Sequence, residues 1–350
     1  MNQQRNNPPA ARATIEDVAA AASVSVATVS RALRGLPNVA ASTRARVEQV
    51  ATELNYQADP AARRLATGRS RSIAVIVPFV NTWYCAEIMA GVEAVCAEAG
   101  YDMVVIALRT EGGDRRPIDG NEALHRRVDG IVVVDVALEG EELDEMISRG
   151  LAVVSIGPPL PGCPSTGIDD VEVGRIATRH LIELGHRRIA LIGDTTDTIF
   201  GFVVPTMRQT GYEQALAAAG IQLDDDLIVD GSFTVQGGAE ALDQLLALDE
   251  PPTAIFAIGD IMALGAMQRA RELGIDIPGE LSIIGVDDQP VAEVLGLTTV
   301  HQDVAEHGAR VARWLVDLLR DDDHSVERFI APVRLVERST TAAPATARVS

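Results

Sequence analysis

Apolar residues at Ile15, Val18, Ala19 and Ala22 follow helical spacing behind Thr14, an N-cap residue, and Asp17 three positions later completes a capping-box pattern. After a turn at Ser23 and Val24, Ser25 is placed to cap a second helix, with Val29 and Leu33 spaced for a core and Ala27, Thr28 and Arg31 facing outward. Residues 14–33 therefore predict two short helices joined by a tight turn, a helix-turn-helix or, more blandly, a helical hairpin. In the first case the outward face enters a major groove, its hydroxyls meeting phosphates and the other side chains meeting base edges. Gly35, Leu36, Pro37 and Asn38 form another turn, and a third helix is expected from about Ser42, with Val47, Val50, Ala51 and Leu54 at core spacing. Three such helices make a domain too small to be very stable alone.

The pattern breaks over residues 56–72. There Asp59 and Pro60 read as N-cap and first helical position, so residues 61–66 predict about two helical turns, stopped by Gly68. A helix this short is marginal in isolation and needs a surface to fold on. A plain basic linker is the simpler alternative. From Ile73 the chain alternates between strand-like apolar runs and amphipathic helical segments. The strands are expected over residues 73–77, 103–106, 130–134, 152–156, 188–192, 253–257 and 281–286, and helices over 86–99, 173–184, 211–219, 236–248 and 261–273. Such alternation implies parallel sheets covered by helices on both faces, and this many units favours two lobes over one sheet. The expected fold class is α plus α/β: a three-helix headpiece with a hinge helix, then a two-lobed body of parallel sheets.

Charge sharpens this division. The 350 residues carry a formal net charge of -20, which spread evenly would oppose nucleic acid. Residues 1–71 instead hold ten arginines against five carboxylates, so they carry +5 and the remainder -25. All 30 basic residues are arginine. Cys85, Cys96 and Cys163 lack metal or redox spacing and read as reduced core or pocket thiols. The first 12 residues, rich in Asn, Gln and Pro, read as a disordered arm with no apolar signal region. No apolar run is long enough to span a bilayer, so a cytoplasmic protein is expected. G-x-G-x-x-G, a Walker loop, G-x-S-x-G and H-E-x-x-H are all missing, and the six histidines lack ligand spacing. No enzyme, cofactor or metal is expected.

Asp17-Val18-Ala19, Val24-Ser25, Thr28-Val29-Ser30-Arg31 and Thr43-Arg44 closely resemble the DNA-binding headpiece of the lactose-repressor (LacI/GalR) family of bacterial transcription regulators. In the body, Arg127-Val128-Asp129-Gly130-Ile131, HLIELGHRRIA over 180–190, GDIMALG over 259–265, IGVDD over 284–288 and LTTVHQ over 297–302 resemble that family's sensor domain. That domain is similar to periplasmic sugar-binding proteins, with two Rossmann-like lobes joined by three crossings. The resemblance covers about residues 13–338. It implies a DNA-binding domain over 13–57, a hinge helix and linker over 58–72, an effector-binding and dimerisation domain over 73–338 and a disordered tail over 339–350. Val26 and Ala27 fall at the family's specificity positions, and Arg31 is the best candidate for a bidentate guanine contact. Ser25, Thr28, Ser30, Asn38, Thr43 and Arg44 would hold the DNA backbone. Leu65, flanked by Arg63 and Arg64, would be the hinge leucine that wedges into the minor groove.

Small ligands in such a fold bind at the C-terminal ends of the strands. Asp169 follows the 165–168 run, Arg208 opens an R-x-x-G-Y segment, and Asp287 ends the 283–286 strand. Together they supply a planar cationic fork and two carboxylates, which suits adjacent sugar hydroxyls; residue by residue they resemble the family's effector-binding Asp, Arg and Asp. Tyr84, Phe200, Phe202 and Phe233 are candidates to stack on a ring, with Phe233 in the family's aromatic pocket position. Where the family has Asn before Asp260, this chain has Gly259. No leucine heptad follows residue 338, so a homodimer is expected rather than a tetramer. The expected function is a ligand-responsive repressor of a sugar-catabolic operon, with double-stranded operator DNA and a small-molecule effector as partners. The alternatives are a regulator of the same family sensing a nucleobase, a nucleoside or a protein corepressor, and a sugar-binding module whose headpiece is vestigial.

Overall fold

The computed structural model describes residues 13–56, 69–108, 118, 124, 126–138, 140–194, 201, 203–320 and 327–345. The chain divides into two compact units that part between Ser70 and Arg71.

The first unit holds α1 (Ile15–Ala21), α2 (Val26–Leu33) and α3 (Ala41–Glu53). Both caps expected at its start are made. The Thr14 amide and hydroxyl donate to the Asp17 carboxylate at 2.8 and 2.9 Å while the Asp17 amide donates back to the Thr14 hydroxyl, closing the capping box. Ser25 accepts from the Thr28 amide at 3.2 Å. The three helices bury Val18, Ala19, Ala22, Val29, Ala32, Val47 and Ala51. Most of these are alanines, so the helices touch through short side chains and bury little apolar area each. Leu33 and Leu54, expected in the core, are instead exposed. Leu33 ends α2 and Leu54 is the C-cap of α3, and the packed position on α2 belongs to Ala32. The expected hinge helix, with Arg63 and Leu65, lies outside the described residues.

The second unit contains two sheets. The first is built from β1 (Ser72–Val77), β2 (Asp102–Ala107), β3 (Gly130–Val134), β4 (Ala152–Ile156), β5 (Ser165–Gly167) and β11 (Arg328–Ile330), in the order β11-β5-β4-β3-β1-β2, with every pairing parallel. The second is built from β6 (Ile189–Gly193), β7 (Ile228–Asp230), β8 (Ala254–Ala257), β9 (Ser282–Asp287), β10 (Thr298–His301) and β12 (Arg334–Val336). Its order is β12-β10-β9-β8-β6-β7, parallel except where β12 runs against β10. β3, β6 and β8 are buried along their whole length, which is why they read as unbroken apolar runs rather than alternating ones. The short strands β7, β10, β11 and β12 had no such signal, because three or four residues are too few to display a period.

Helices α4 (Trp83–Ala99), α5 (Gly140–Ser148) and α11 (Val304–Leu319) pack on the first sheet, and α6 (Asp170–Glu183), α7 (Val204–Ala218), α8 (Val235–Leu246) and α9 (Asp260–Leu273) on the second. The short α10 (Pro290–Leu295) links β9 to β10. The chain changes sheets three times, after Gly167, after His301 and after Ile330. α7 starts earlier than its periodicity suggests, at Val204, with Pro205 in its first turn. It meets α6 backbone to backbone: a Cβ on Gly174 would stand 2.0 Å from the Arg208 carbonyl oxygen, and one on Gly211 would stand 2.0 Å from that of Val171. This close crossing sets Asp170 beside Arg208. The body also extends past its expected end at Arg338. The Ile283 amide donates to the Thr340 carbonyl at 2.8 Å, the Thr340 hydroxyl returns a bond to the Ile283 carbonyl at 2.7 Å, and the Ser282 hydroxyl donates to the Ala342 carbonyl at 3.1 Å. Residues 339–342, expected as disordered tail, are thus tied to β9.

Candidate functional site

On the first unit, α2 presents Val26, Ala27 and Arg31 to solvent, with Thr28 and Ser30 half-buried between them. The Ser25 and Thr28 hydroxyls lie 2.9 Å apart, so the residues that cap α2 also lie at its exposed start. The loop after α2 is held from α3: the Arg44 guanidinium donates to the Leu36 carbonyl at 2.8 Å, and Asn38 adopts a left-handed φ of 73°. Thr43 is half-buried one residue before Arg44.

On the second unit, one set of side chains gathers at the strand ends and chain crossings. Tyr84 comes from the first turn of α4, Asp135 follows β3, Asp170 opens α6, Arg208 lies on α7, Asp287 ends β9, and Gln302 follows β10. Arg208 is 5% exposed; its Nε donates to Asp170 Oδ1 at 2.8 Å, and a second nitrogen donates to the Ile258 carbonyl. Gln302 donates to Asp287 Oδ1 at 2.6 Å, and the Tyr84 hydroxyl donates to the Asp135 carboxylate. Burial acts first on all of them. It pushes the Asp135 carboxyl up to about 7, helped by the charge of Asp170 and opposed by Tyr84 and Arg208. Asp170 and Asp287 are also raised by burial, despite the guanidinium beside them. Burial alone would lower Arg208, but Asp170 and Asp287 outweigh it and leave the guanidinium more firmly protonated. Tyr84 is raised well above its ordinary value, by burial and then by Asp135 and Asp170.

Two further features hold this set in place. Asp260, fully buried at the start of α9, accepts from the Gln289 amide at 2.8 Å and the Thr299 hydroxyl at 2.7 Å, bracing the turn in which Asp287 and Asp288 take φ of 112° and 57°. Burial and then Asp287 push the Asp260 carboxyl up to about 8. Asp135 also has a left-handed φ, 46°, and its Oδ1 occupies the place a Cβ on Gly157 would take, 1.9 Å away. Sparsely populated backbone of this kind, kept at a cleft, is typical of functional positions.

Of the residues singled out from sequence, Tyr84, Arg208 and Asp287 come together. Asp169 does not join them: it is exposed and N-caps α6, accepting from the Glu172 amide at 3.0 Å, and its neighbour Asp170 turns inward to Arg208. Arg208 lies within α7. Phe233 stands next to the set, its ring against Gly259, where a Cβ would lie 3.4 Å from ring Cε1. A Cβ there would be in ordinary contact with that ring. Phe200 and Phe202 lie outside the described residues. Asp135 was missed, although its signal matched that of Asp287: a carboxylate directly after an all-apolar run. Cys85, Cys96 and Cys163 are all buried free thiols.

A helix-turn-helix unit in the same chain as a two-lobed body with a charged cleft at its strand ends defines a class, the DNA-binding regulator that senses a small ligand. The family model described as bacterial regulatory proteins, lacI family, matches residues 14–59, and that of a periplasmic binding protein-like domain matches residues 178–341. The HTH-type transcriptional repressor PurR of Vibrio atlanticus is 35% identical over 335 residues, covering 94% of this chain and 98% of the relative. The lac repressor dimer bound to operator and the anti-inducer ONPF superposes with a TM-score of 0.83 at 27% identity, over 95% of this chain and 99% of that one. The complex of the transcriptional regulator CelR with cellobiose has a TM-score of 0.68 at 31% identity, over 94% and 100%. The chain belongs to the lacI family of bacterial regulatory proteins. It is a ligand-responsive, DNA-binding transcriptional regulator and not an enzyme. Among the described residues no helix is long and apolar enough to cross a membrane.

Proposed function

We propose that the protein is a cytoplasmic repressor of a sugar-catabolic operon that binds a near-palindromic operator as a homodimer and is governed by a sugar-class effector. The observation that carries this reading is the convergence of Tyr84 and Asp135 from one lobe on Asp170, Arg208 and Asp287 from the other. A ligand held by both sides favours one lobe arrangement over another, which is what a population shift requires. Fixed carboxylates and a guanidinium fork pair well with adjacent hydroxyls, and the similar CelR structure holds cellobiose. On the headpiece, Arg31 would read a guanine, Val26 and Ala27 would meet thymine methyls, and Ser25, Thr28, Ser30, Asn38, Thr43 and Arg44 would hold the backbone, with Arg63 and Leu65 acting from the hinge. The exposed apolar face of α10, where Val294 is 82% exposed between Val291 and Leu295, supports pairing of two copies.

The test is a footprint of the full-length protein on genomic fragments at moderate salt, with and without monosaccharides. Arg31→Ala should weaken operator binding by about 1–3 kcal/mol and relax discrimination at one base position. The absence of any discrete protected site would sink the reading and leave a binding module with a vestigial headpiece. Nucleosides belong in the same titration. The Phe233 ring, with Gly259 against it in place of the family's Asn, offers a flat apolar face that would also suit a nucleobase.

A further inference from the structure

We propose that the effector carries a protonated amine seated on Asp135, and that the cleft turns away anionic effectors such as sugar phosphates. This rests on the reading of the cleft as the effector site and names the chemistry that site selects. Among the described residues, three carboxylates, Asp135, Asp170 and Asp287, act on one another in the cleft together with one guanidinium, that of Arg208. Arg208 is bonded to Asp170. Asp287 is bonded by Gln302 and Gln289, and Asp135 by the Tyr84 phenol, all of them neutral donors. With all three ionised, the described residues of the set would carry more buried negative charge than the one guanidinium neutralises, and burial meets that by holding a proton on Asp135. Leaving that surplus uncompensated is costly, and closing the lobes over it makes it costlier. A hydroxyl does not remove it and a phosphate adds to it. An ammonium group cancels it.

The geometry places the amine at Asp135 rather than at Asp287. Asp287 has amide donors and feels Arg208 as its largest favourable charge, whereas the donor to the Asp135 carboxylate among the described residues is the Tyr84 phenol. Asp135 is also 7% exposed, with its carboxylate over Gly157 in a backbone conformation that the fold must enforce. Among the described residues the groups facing it are Tyr84, Cys85, Asp170, Arg208 and Asp287, of which Arg208 is the cation. Because burial holds the Asp135 proton up to about pH 7, an amine arriving beside it near neutral pH drives that proton off.

The experiment compares matched ligands on the full-length protein near neutral pH: glucose, galactose and mannose, then glucosamine, galactosamine and mannosamine, then the corresponding sugar phosphates. Thermal melting ranks them, and calorimetry in two buffers of different ionisation enthalpy counts protons. An amino sugar should raise the melting temperature most, bind roughly ten-fold more tightly than its neutral parent and release a proton. Asp135→Asn should erase both the preference and the proton release, whereas Tyr84→Phe, which keeps the carboxylate, should retain the preference. The unliganded melting of each variant checks that it folds. Tightest binding by a neutral or phosphorylated member, no binding by any amine, or an unchanged preference in Asp135→Asn overturns the proposal. If a neutral sugar alone binds and alters operator affinity, the amine inference fails while the sugar-effector reading stands. If no member of any class does so, both fail.

Discussion

The headpiece and the body solve the same problem, burial of enough apolar surface to hold a shape, at very different scales. The headpiece core is a few valines among alanines, and its helices begin at caps made within three residues of chain. The body buries Tyr212, Phe256 and long runs of isoleucine, leucine and valine in continuous clusters on both sheets. The body can therefore tolerate a cleft of crowded buried charges, while the headpiece has no such reserve and keeps its polar residues on the surface. The unit that reads DNA is held together locally. The unit that senses the ligand is held together by contacts that span most of the chain.

The substitution expected to act most strongly is Gly174→Ala, which drives a Cβ into the Arg208 carbonyl at the α6–α7 crossing. It should cost on the order of 3 kcal/mol in the urea unfolding of the body and weaken the effector response, since Arg208 must move from Asp170. A headpiece transition displaced along with it would mean that the two units do not hold themselves up separately. Val29→Ala comes next, at about 2 kcal/mol. In so small a core this should abolish operator binding and leave effector binding intact. The same truncation at Val132, in the middle of β3, should cost a similar amount and leave the body folded. Equal tolerance in both units would break the contrast.

The pH dependence of the cleft gives a smaller effect with a definite sign. The Asp135 carboxyl, ordinarily at 3.8, sits at about 7 in the folded body, so the folded form holds its proton more tightly. Its contribution to stability is complete below its ordinary value and is lost as the pH rises through the folded one. Asp135→Asn has no such loss. Its melting temperature should climb relative to the unsubstituted protein across that interval and stay level above it; a difference that ignores pH would contradict the assigned burial. Asp260, raised to about 8, continues the decline in both proteins. The smallest expected effect is that of Thr14→Ala, about 1 kcal/mol from the lost cap. Circular dichroism melting of the headpiece would report it, and the body should not notice.

The sequence by itself determined the headpiece almost completely, down to the Thr14–Asp17 box and the exposure of Arg31, because those features depend on neighbours three or four residues away. It also determined the central strands, whose burial on both faces is written as unbroken apolar runs, and it marked Asp287 as the carboxylate that ends one of them. Only the tertiary structure decided between Asp169 and Asp170: both sit at the same helix start, and the α6–α7 crossing alone picks the one that reaches Arg208. It likewise decided that Asp135 joins Tyr84, that Ala32 rather than Leu33 fills the headpiece core, and that the chain past Arg338 is bound to β9. Each of these depends on which distant backbone comes within a few ångströms, and residue spacing along one segment carries no record of that distance.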